Sequence, residues 1–541
     1  MRKKRLFSQL LALVLCTSAM CMSSQASSTV WDGRTSQKFS GGSGSETDPY
    51  QIANGAELYY LALQSDTNFY YVLTDNIDLG NHLFPTIPSF SGVLDGDGFQ
   101  IDGLHVEITE KNSESVAGLI GKCLGTVKNL TVSGSVSNVY GAAGGVVGLL
   151  LSSDGIVENC VNYCTVTTEK SNSPAGGLVG YSKWAGKVID SKNYGDVQGY
   201  IAGGIIGKAY DTHNNSNDPI TPRVVGCLNA GSITSPSSYA GGICGHLEGY
   251  KIAQSYTMGT VTAASAGGGI IGYGFGTHYY VNGKHTFIFS SIENCFNAGT
   301  ITAKTAGGIA GSFTCYETKY GQVDLCYNVG KLTATEGGKT GEILGLGERP
   351  DNVSFVLAKV SNCLYLNTQN SNATYRQGTG YSVAALQGVG AYASFDFNSI
   401  WGWDTSGNYP YAILNRAGLP QNSCQHNYQL TSTTATCLSD GIAVYTYTNC
   451  GKKKTEAAPA KGHEWAEATC TAPKTCKVCN ATEGTAKGHD WADATCTAPK
   501  TCKVCNATEG TAKGHDWADA TCTAPKTCKV CHVTEGISMM L

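Results

Sequence analysis

Short apolar bursts set between glycines recur through most of this chain. Ala117-Gly118-Leu119-Ile120-Gly121 is followed by GGVVG at Gly144–Gly148, GGLVG at Gly176–Gly180, GGIIG at Gly203–Gly207 and GGICG at Gly241–Gly245. Related segments stand at Gly268–Gly272, at Gly307–Gly311 and, degraded, at Gly341–Gly345. The motif returns every 27 to 39 residues, the signature of a solenoid whose units bury their apolar faces only against neighbours. A second pattern lies about 20 residues ahead of each glycine motif, as in Val157-Glu158-Asn159-Cys160-Val161-Asn162. It recurs from Val188, Val224, Ile252, Ile292 and Val323: an apolar residue, then Cys or Ser three residues on, Asn or Thr two beyond, and usually Gly two further.

If successive units stack in register, Cys160, Ser191, Cys227, Ser255, Cys295, Cys326 and Cys363 form one column inside the coil. Exchange of Cys with Ser in that column points to a small buried side chain rather than to disulfides or metal. Asn162, Asn193, Asn229, Asn297 and Asn328 form a second column, predicted to be an amide hydrogen-bond ladder at a turn. Gly195, Gly231, Gly259, Gly299 and Gly330 would lend backbone freedom at the corner. The predicted fold is all-β: a right-handed parallel β-helix of the pectin-lyase-like kind, followed by small Cys/His units resembling zinc ribbons.

A solenoid must cover its first and last rungs. Helical spacing of Leu58, Leu61 and Ala62 predicts a capping element in residues 27–116, together with the first rungs. Phe395, Phe397, Ile400, Trp401, Tyr409 and Tyr411 predict an aromatic plug at the far end of the repeat region, 117–414, with a linker at 415–423 and a tail at 424–541.

Composition narrows the class. Glycine is abundant, with 68 residues, while only 14% of the chain is charged, which favours tightly turned β-structure over disorder. A net charge of -4, with Lys452–Lys454 the one clear basic run beyond the leader, offers no field for phosphates and argues against nucleic acid. Arg2, Lys3, Lys4 and Arg5 precede an apolar run from Leu6 to Cys16, and Ser24-Gln25-Ala26 supplies small residues for cleavage after Ala26. Residues 1–26 are therefore expected to be a signal peptide and the protein to be secreted or attached to the cell surface. Leu15 and Met20 before Cys16 and Cys21 speak against lipidation, and no later stretch has the length of a transmembrane span. Ile537–Leu541 breaks a repeat off abruptly, which leaves the true C-terminus open.

The return from each glycine motif to the next strand varies from about 6 to 20 residues, so length variation is confined to one corner of the coil. Two returns are long. Lys208–Arg223 carries Asp211, His213, Asp218 and Arg223, and Tyr273–Ser291 carries His278, Tyr279, Tyr280, Lys284 and His285. Aromatic rings beside amides and charges suit sugar faces or peptides, so these are the candidate binding residues. An enzymatic β-helix would instead need clustered carboxylates or acidic calcium ligands with a base. Asp190 and Asp196 are not repeated in a cluster, and Asp95 and Asp97 fall in a glycine-rich turn. No catalytic residues are assigned, and a carbohydrate-active enzyme on the same scaffold is the alternative reading.

From His463 onward the period is 26 residues: His463, His489 and His515; Cys470, Cys496 and Cys522; Cys476, Cys502 and Cys528; Cys479, Cys505 and Cys531. Each unit reads His-x6-Cys-x5-Cys-x2-Cys, four potential ligands for structural zinc. A degenerate unit before them offers Cys424, His426, Cys437 and Cys450. Disulfides between neighbouring units are the competing reading in an oxidising exterior. Tyr428, Trp465, Trp491 and Trp517 follow each His by two and are expected to pack the small cores. His463-Glu464-Trp465-Ala466-Glu467 starts like a zinc-protease motif but has Glu467 where the second His must stand.

The glycine motifs, with Asp48-Pro49-Tyr50 at the start and Phe395-Asp396-Phe397 at the end, resemble bacterial GLUG-motif surface proteins over roughly Trp31 to Leu414. Such segments occur in proteins similar to adhesins and beside the catalytic domains of IgA1-cleaving metallopeptidases, so the resemblance implies a surface role without implying proteolysis. The tail is similar to Cys/His repeats at the ends of large surface proteins of gut-type Gram-positive bacteria. The expectation is a non-catalytic adhesion protein binding a host or cell-wall glycan or protein, with an accessory region of a larger surface protein as a further alternative.

Overall fold

A computed structural model describes residues 30–110, 116–211, 221–281, 284–315, 321–346, 356–403, 409–415, 428–433, 435–439, 441–447, 453–458 and 460–536. The expected signal peptide and nearly all of the expected linker lie outside them. Two compact units divide the chain, residues 1–425 and 426–541.

The first unit is a parallel β-helix with three faces. One coil shows the pattern: Ile156–Glu158 on the first face; Val161–Asn162, Thr165–Thr168 and Pro174–Gly176 on the second; Val179–Lys183 on the third; then a corner and Lys187–Ile189 back on the first. Stacked coils make sheets of 11, 22 and 10 strands. Register follows the repeat: Val188 pairs with Val224, Val224 with Ile252, Ile252 with Ile292 and Ile292 with Val323. All five are fully buried, and each contributes about 1.5–3 kcal/mol of burial.

The interior columns are as expected. Cys160, Ser191, Cys227, Ser255, Cys295, Cys326 and Cys363 are buried one above another, and Ser191 and Ser255 Oγ accept from the amides of Cys160 and Cys227. Burial pushes the Cys160 thiol up to about 12, so the thiol stays protonated and packs as a small hydrophobe. In the amide column, Asn162 Nδ2 donates to Asn193 Oδ1 at 2.8 Å, Asn193 to Asn229 at 2.8 Å and Asn297 to Asn328 at 2.9 Å. Thr257 interrupts this ladder, and its buried Oγ1 has no hydrogen-bond partner.

Two expectations are corrected. Gly195, Gly231, Gly259, Gly299 and Gly330 do not serve backbone freedom. A Cβ on Gly195 would stand 2.0 Å from the carbonyl oxygen of Cys164 in the preceding coil, and one on Gly231 would stand 2.0 Å from that of Gly195. They are glycines because adjacent coils touch there. Left-handed backbone is instead required one residue before the Cys/Ser column, at Asn159, Asp190, Gly226, Gln254, Asn294, Leu325 and Asn362, and Asn, Asp and Gly meet that demand most cheaply.

The aromatic plug is the second correction. Strand alternation turns Asn297 inward and Phe296 outward. Tyr256, Phe296 and Tyr327 therefore stack on the outside, with ring centroids 4.5 and 4.9 Å apart. Residues of 386–403 and 409–414 cover that stripe: Trp401 packs 5.7 Å from Tyr327, and its Nε1 donates to Asn294 Oδ1 at 3.0 Å. The plug runs along the flank because the exposed apolar stripe is there. At the other end, the helix Gly55–Ala62, capped by Asn54, buries Leu58, Leu61 and Ala62 as expected.

Candidate functional site

Two regions carry the candidate residues, the corner between the third and first faces and the Cys/His tail. At the corner, Asp211 and Arg223 are part of the framework. Asp211 is buried, its carboxylate lies 3.5 Å from the Arg223 guanidinium, and Arg223 Nη1 donates to the carbonyl of Ala185 at 2.8 Å. His213 and Asp218 fall outside the described residues. The return Tyr273–Ser291, read from sequence as a loop, is an antiparallel β-ribbon: Ile271–Val281 pairs with Lys284–Ile288, setting His278 opposite Phe287, Tyr279 opposite Thr286, Tyr280 opposite His285 and Val281 opposite Lys284. Hydrogen-bond alternation extends the sheet strand outward where the sequence suggested an irregular return.

The outer surface of the third face holds groups that sequence reading passed over. Tyr181, Lys208, His246 and Tyr273 fall in successive registers. The Lys208 ammonium lies 5.6 Å from the Tyr181 ring centre, and Tyr273 stacks on Tyr239 at 4.8 Å. Burial, and secondly the Lys208 charge, depress His246 to about 3. Its Nε2 lies 3.8 Å from Glu248, outside hydrogen-bond range, so burial outweighs the carboxylate and the imidazole is neutral. The alternation of residue types along this column became readable only once the register was known.

In the tail each repeat is a three-stranded antiparallel sheet, as in Trp465–Ala466, Lys474–Cys476 and Thr482–Glu483. Three Cys3His clusters form, each with its ligand atoms within 4.8 Å of one another: Cys437, His463, Cys476 and Cys479; Cys470, His489, Cys502 and Cys505; Cys496, His515, Cys528 and Cys531. This overturns the expected grouping within units. Cys470 leaves His463 and joins the following repeat, Cys496 does likewise, and Cys437 serves the His463 site instead of closing one with Cys424, His426 and Cys450, which lie outside the described residues. Cys522 is exposed and belongs to no such cluster among the described residues. Backbone hydrogen bonds are the cause. Lys487 N donates to Thr469 O at 2.9 Å and Lys513 N to Thr495 O at 2.8 Å, pinning the segment before each His against the turn that carries the preceding repeat's Cys.

The donor geometry fits a tetrahedral metal. Cys437 and Cys476 Sγ are 3.7 Å apart, Cys470 and Cys502 3.8 Å, Cys496 and Cys528 3.7 Å. Zinc–sulfur bonds of about 2.3 Å at tetrahedral angles place sulfurs roughly 3.7–3.8 Å apart, whereas a disulfide needs about 2.05 Å. His463, His489 and His515 Nδ1 each stand 3.3 Å from the last Cys of their site. Burial raises Cys476, but amide hydrogen bonds from Cys479 and Val478 and contact with His463 outweigh it and lower the thiol to about 5. Each Trp lies 4.7 Å from the His two residues before it, packing the site as expected.

No protein-family model matches the chain. A 134-residue stretch, 23% of the chain, is 30% identical to a protein of Evansella cellulosilytica named "Putative Gly-rich membrane protein", of which it covers 15%. Another, 28% of the chain, is 29% identical over 167 residues to halomucin of Haloquadratum walsbyi, covering 2% of it. The chain thus spans a small part of the curated relatives it matches. Among solved structures, one described as a "putative immunoglobulin A1 protease from Bacteroides ovatus" aligns over 70% of this chain and 95% of its own, at 18% identity and a TM-score of 0.36. Among the described residues no helix is long and apolar enough to cross a membrane.

Proposed function

We propose that this chain is a secreted or cell-surface, non-catalytic repeat protein that binds a glycan or protein along one edge of its β-helix, with the tail as a zinc-tied spacer. One observation carries the reading. Register is kept along most strands and shifts on the second face, as between Val132 and Gly134 and between Ala303 and Thr305, while the longest insertions fall at the corner between third and first faces: the return is two residues in Gly249–Tyr250, a ribbon after Ile271, and thirteen residues at 211–223. A rigid scaffold with variable returns on one edge is the usual arrangement of recognition surfaces. Of the carboxylates weighed for catalysis, Asp95 accepts from Asn129 and the Asp97 amide and Asp196 accepts from the Ser232 amide of the next coil, while the buried Asp190 Oδ1 has no hydrogen-bond partner.

The tail reading rests on the three Cys3His clusters. Four protein ligands per ion leave no position for substrate or water, so the metal's role is structural. The corner is tested with the secreted chain on glycan and host-protein arrays, comparing wild type with a chain lacking the ribbon 277–288 and the return 212–220. Loss of binding supports the edge, retention overturns it, and turnover of any polysaccharide overturns the non-catalytic reading. For the tail, elemental analysis of protein purified under reducing conditions is expected to give three zinc per chain, and protein without stoichiometric zinc would refute the assignment.

A further inference from the structure

The same corner contains a cleft of about 880 Å³ whose walls come from four successive coils, at Leu124, Ser152–Asp154, Trp184–Lys187 and Arg223. Coils stack about 4.8 Å apart, so the cleft is elongated along the helix axis and runs roughly 14 Å from the first of these coils to the fourth.

Trp184 is presented by a costly arrangement. Its φ is +55° and that of Ala185 is +72°, two consecutive left-handed residues that are not glycine, a conformation that L side chains disfavour. Such backbone persists where surrounding structure over-determines it, and it gathers at functional sites. Here Arg223 holds the turn through the Ala185 carbonyl, is itself neutralised by buried Asp211, and lies 5.9 Å from the ring of Tyr250, whose hydroxyl meets Ser182 Oγ at 3.0 Å. A half-buried arginine paired with a buried aspartate, and a buried tyrosine, thus anchor a turn whose indole remains 50% exposed.

The lining is mixed in character. Trp184 and Leu124, 41% exposed, offer apolar surface; Ser152, Ser153, Asp154 and Lys187 offer donors and acceptors of both signs. A pyranose has an apolar C–H face and a rim of hydroxyls, and an indole flanked by a carboxylate, an ammonium and hydroxyls complements both. The charged groups of the lining, Asp154 and Asp211 against Lys187 and Arg223, balance, so the cleft selects no net charge. We propose that this cleft binds a linear, neutral oligosaccharide, with Trp184 as the stacking platform and Asp154 and Lys187 orienting the hydroxyls. The proposal rests on the reading of this corner as the binding edge and names its ligand class.

The test uses the full secreted chain with hexasaccharides of β-1,4-glucose, β-1,4-xylose and β-1,4-N-acetylglucosamine, and a wider neutral-glycan array, read by calorimetry and tryptophan fluorescence. At least one probe is expected to bind, with Trp184→Ala weakening it tenfold or more and Lys187→Ala several-fold while circular dichroism is unchanged. If Trp184→Ala misfolds, Trp184→Phe provides the second readout, binding with reduced affinity and losing the fluorescence change. No binding across the array overturns the proposal. Binding that survives Trp184→Ala but is lost on removal of 277–288 also overturns it, while leaving the edge reading intact.

Discussion

Each coil makes a few demands on single residues, and the amide ladder is the plainest. Asn193 Nδ2 donates both to Asn229 Oδ1 and to the Gly195 carbonyl, while its own oxygen accepts from Asn162. Asn193→Ala strands buried partners on both sides and is expected to cost about 1–3 kcal/mol per group left unpaired, seen as a lowered thermal midpoint. Thr257→Asn should act the other way, restoring the chain from Asn229 to Asn297 and raising the midpoint. His246 gives a pH signature. Unfolded it titrates near 6.5 and folded near 3, so below about pH 6.5 the unfolded chain takes up a proton that the folded one refuses. Local stability therefore falls as pH drops from about 6.5 toward 3. Amide exchange at residues 244–248, corrected for intrinsic rates, should accelerate over that window in wild type and stay flat in His246→Gln, with Glu248, Lys208, Tyr239 and Tyr273 unchanged around it.

At the scale of elements, the repeats of the tail are joined through their ligands. Cys470 belongs to the site of His489, Cys502 and Cys505, so Cys470→Ala should remove one zinc and loosen the second site. The His463 site, complete with Cys437, should stay protected. Mapping alkylation of cysteines by mass spectrometry distinguishes this from loss at the His463 site, which grouping within units would require. The period of 26 identified the four ligand types, but a periodic pattern is unchanged when one member is shifted by a whole repeat. Spacing alone therefore could not say which Cys goes with which His. The glycine columns were misread for a related reason: a glycine required by a neighbouring coil and one required by a positive φ look alike in one dimension.

The whole molecule adds stacking to these local rules. Because Asn193 and Asn229 occupy equivalent positions 36 residues apart, deleting residues 194–229 should remove one coil and close the next onto Asn193, keeping far-UV circular dichroism and protease resistance. Deleting 194–211 should destroy both, since half a coil puts apolar columns out of register. Apolar bursts, the Cys/Ser and Asn columns and the glycine spacing determined a parallel β-helix by themselves, because each coil repeats one local chemistry and stacking follows from burying it. Tertiary structure alone decided the rest: the aromatic flank over Tyr256, Phe296 and Tyr327, the Trp184 turn anchored by Arg223, and the sharing of each Cys3His site between repeats. The flank segment and the Arg223 anchor join residues that belong to no common period, and the shared sites join members of neighbouring repeats between which a period cannot choose.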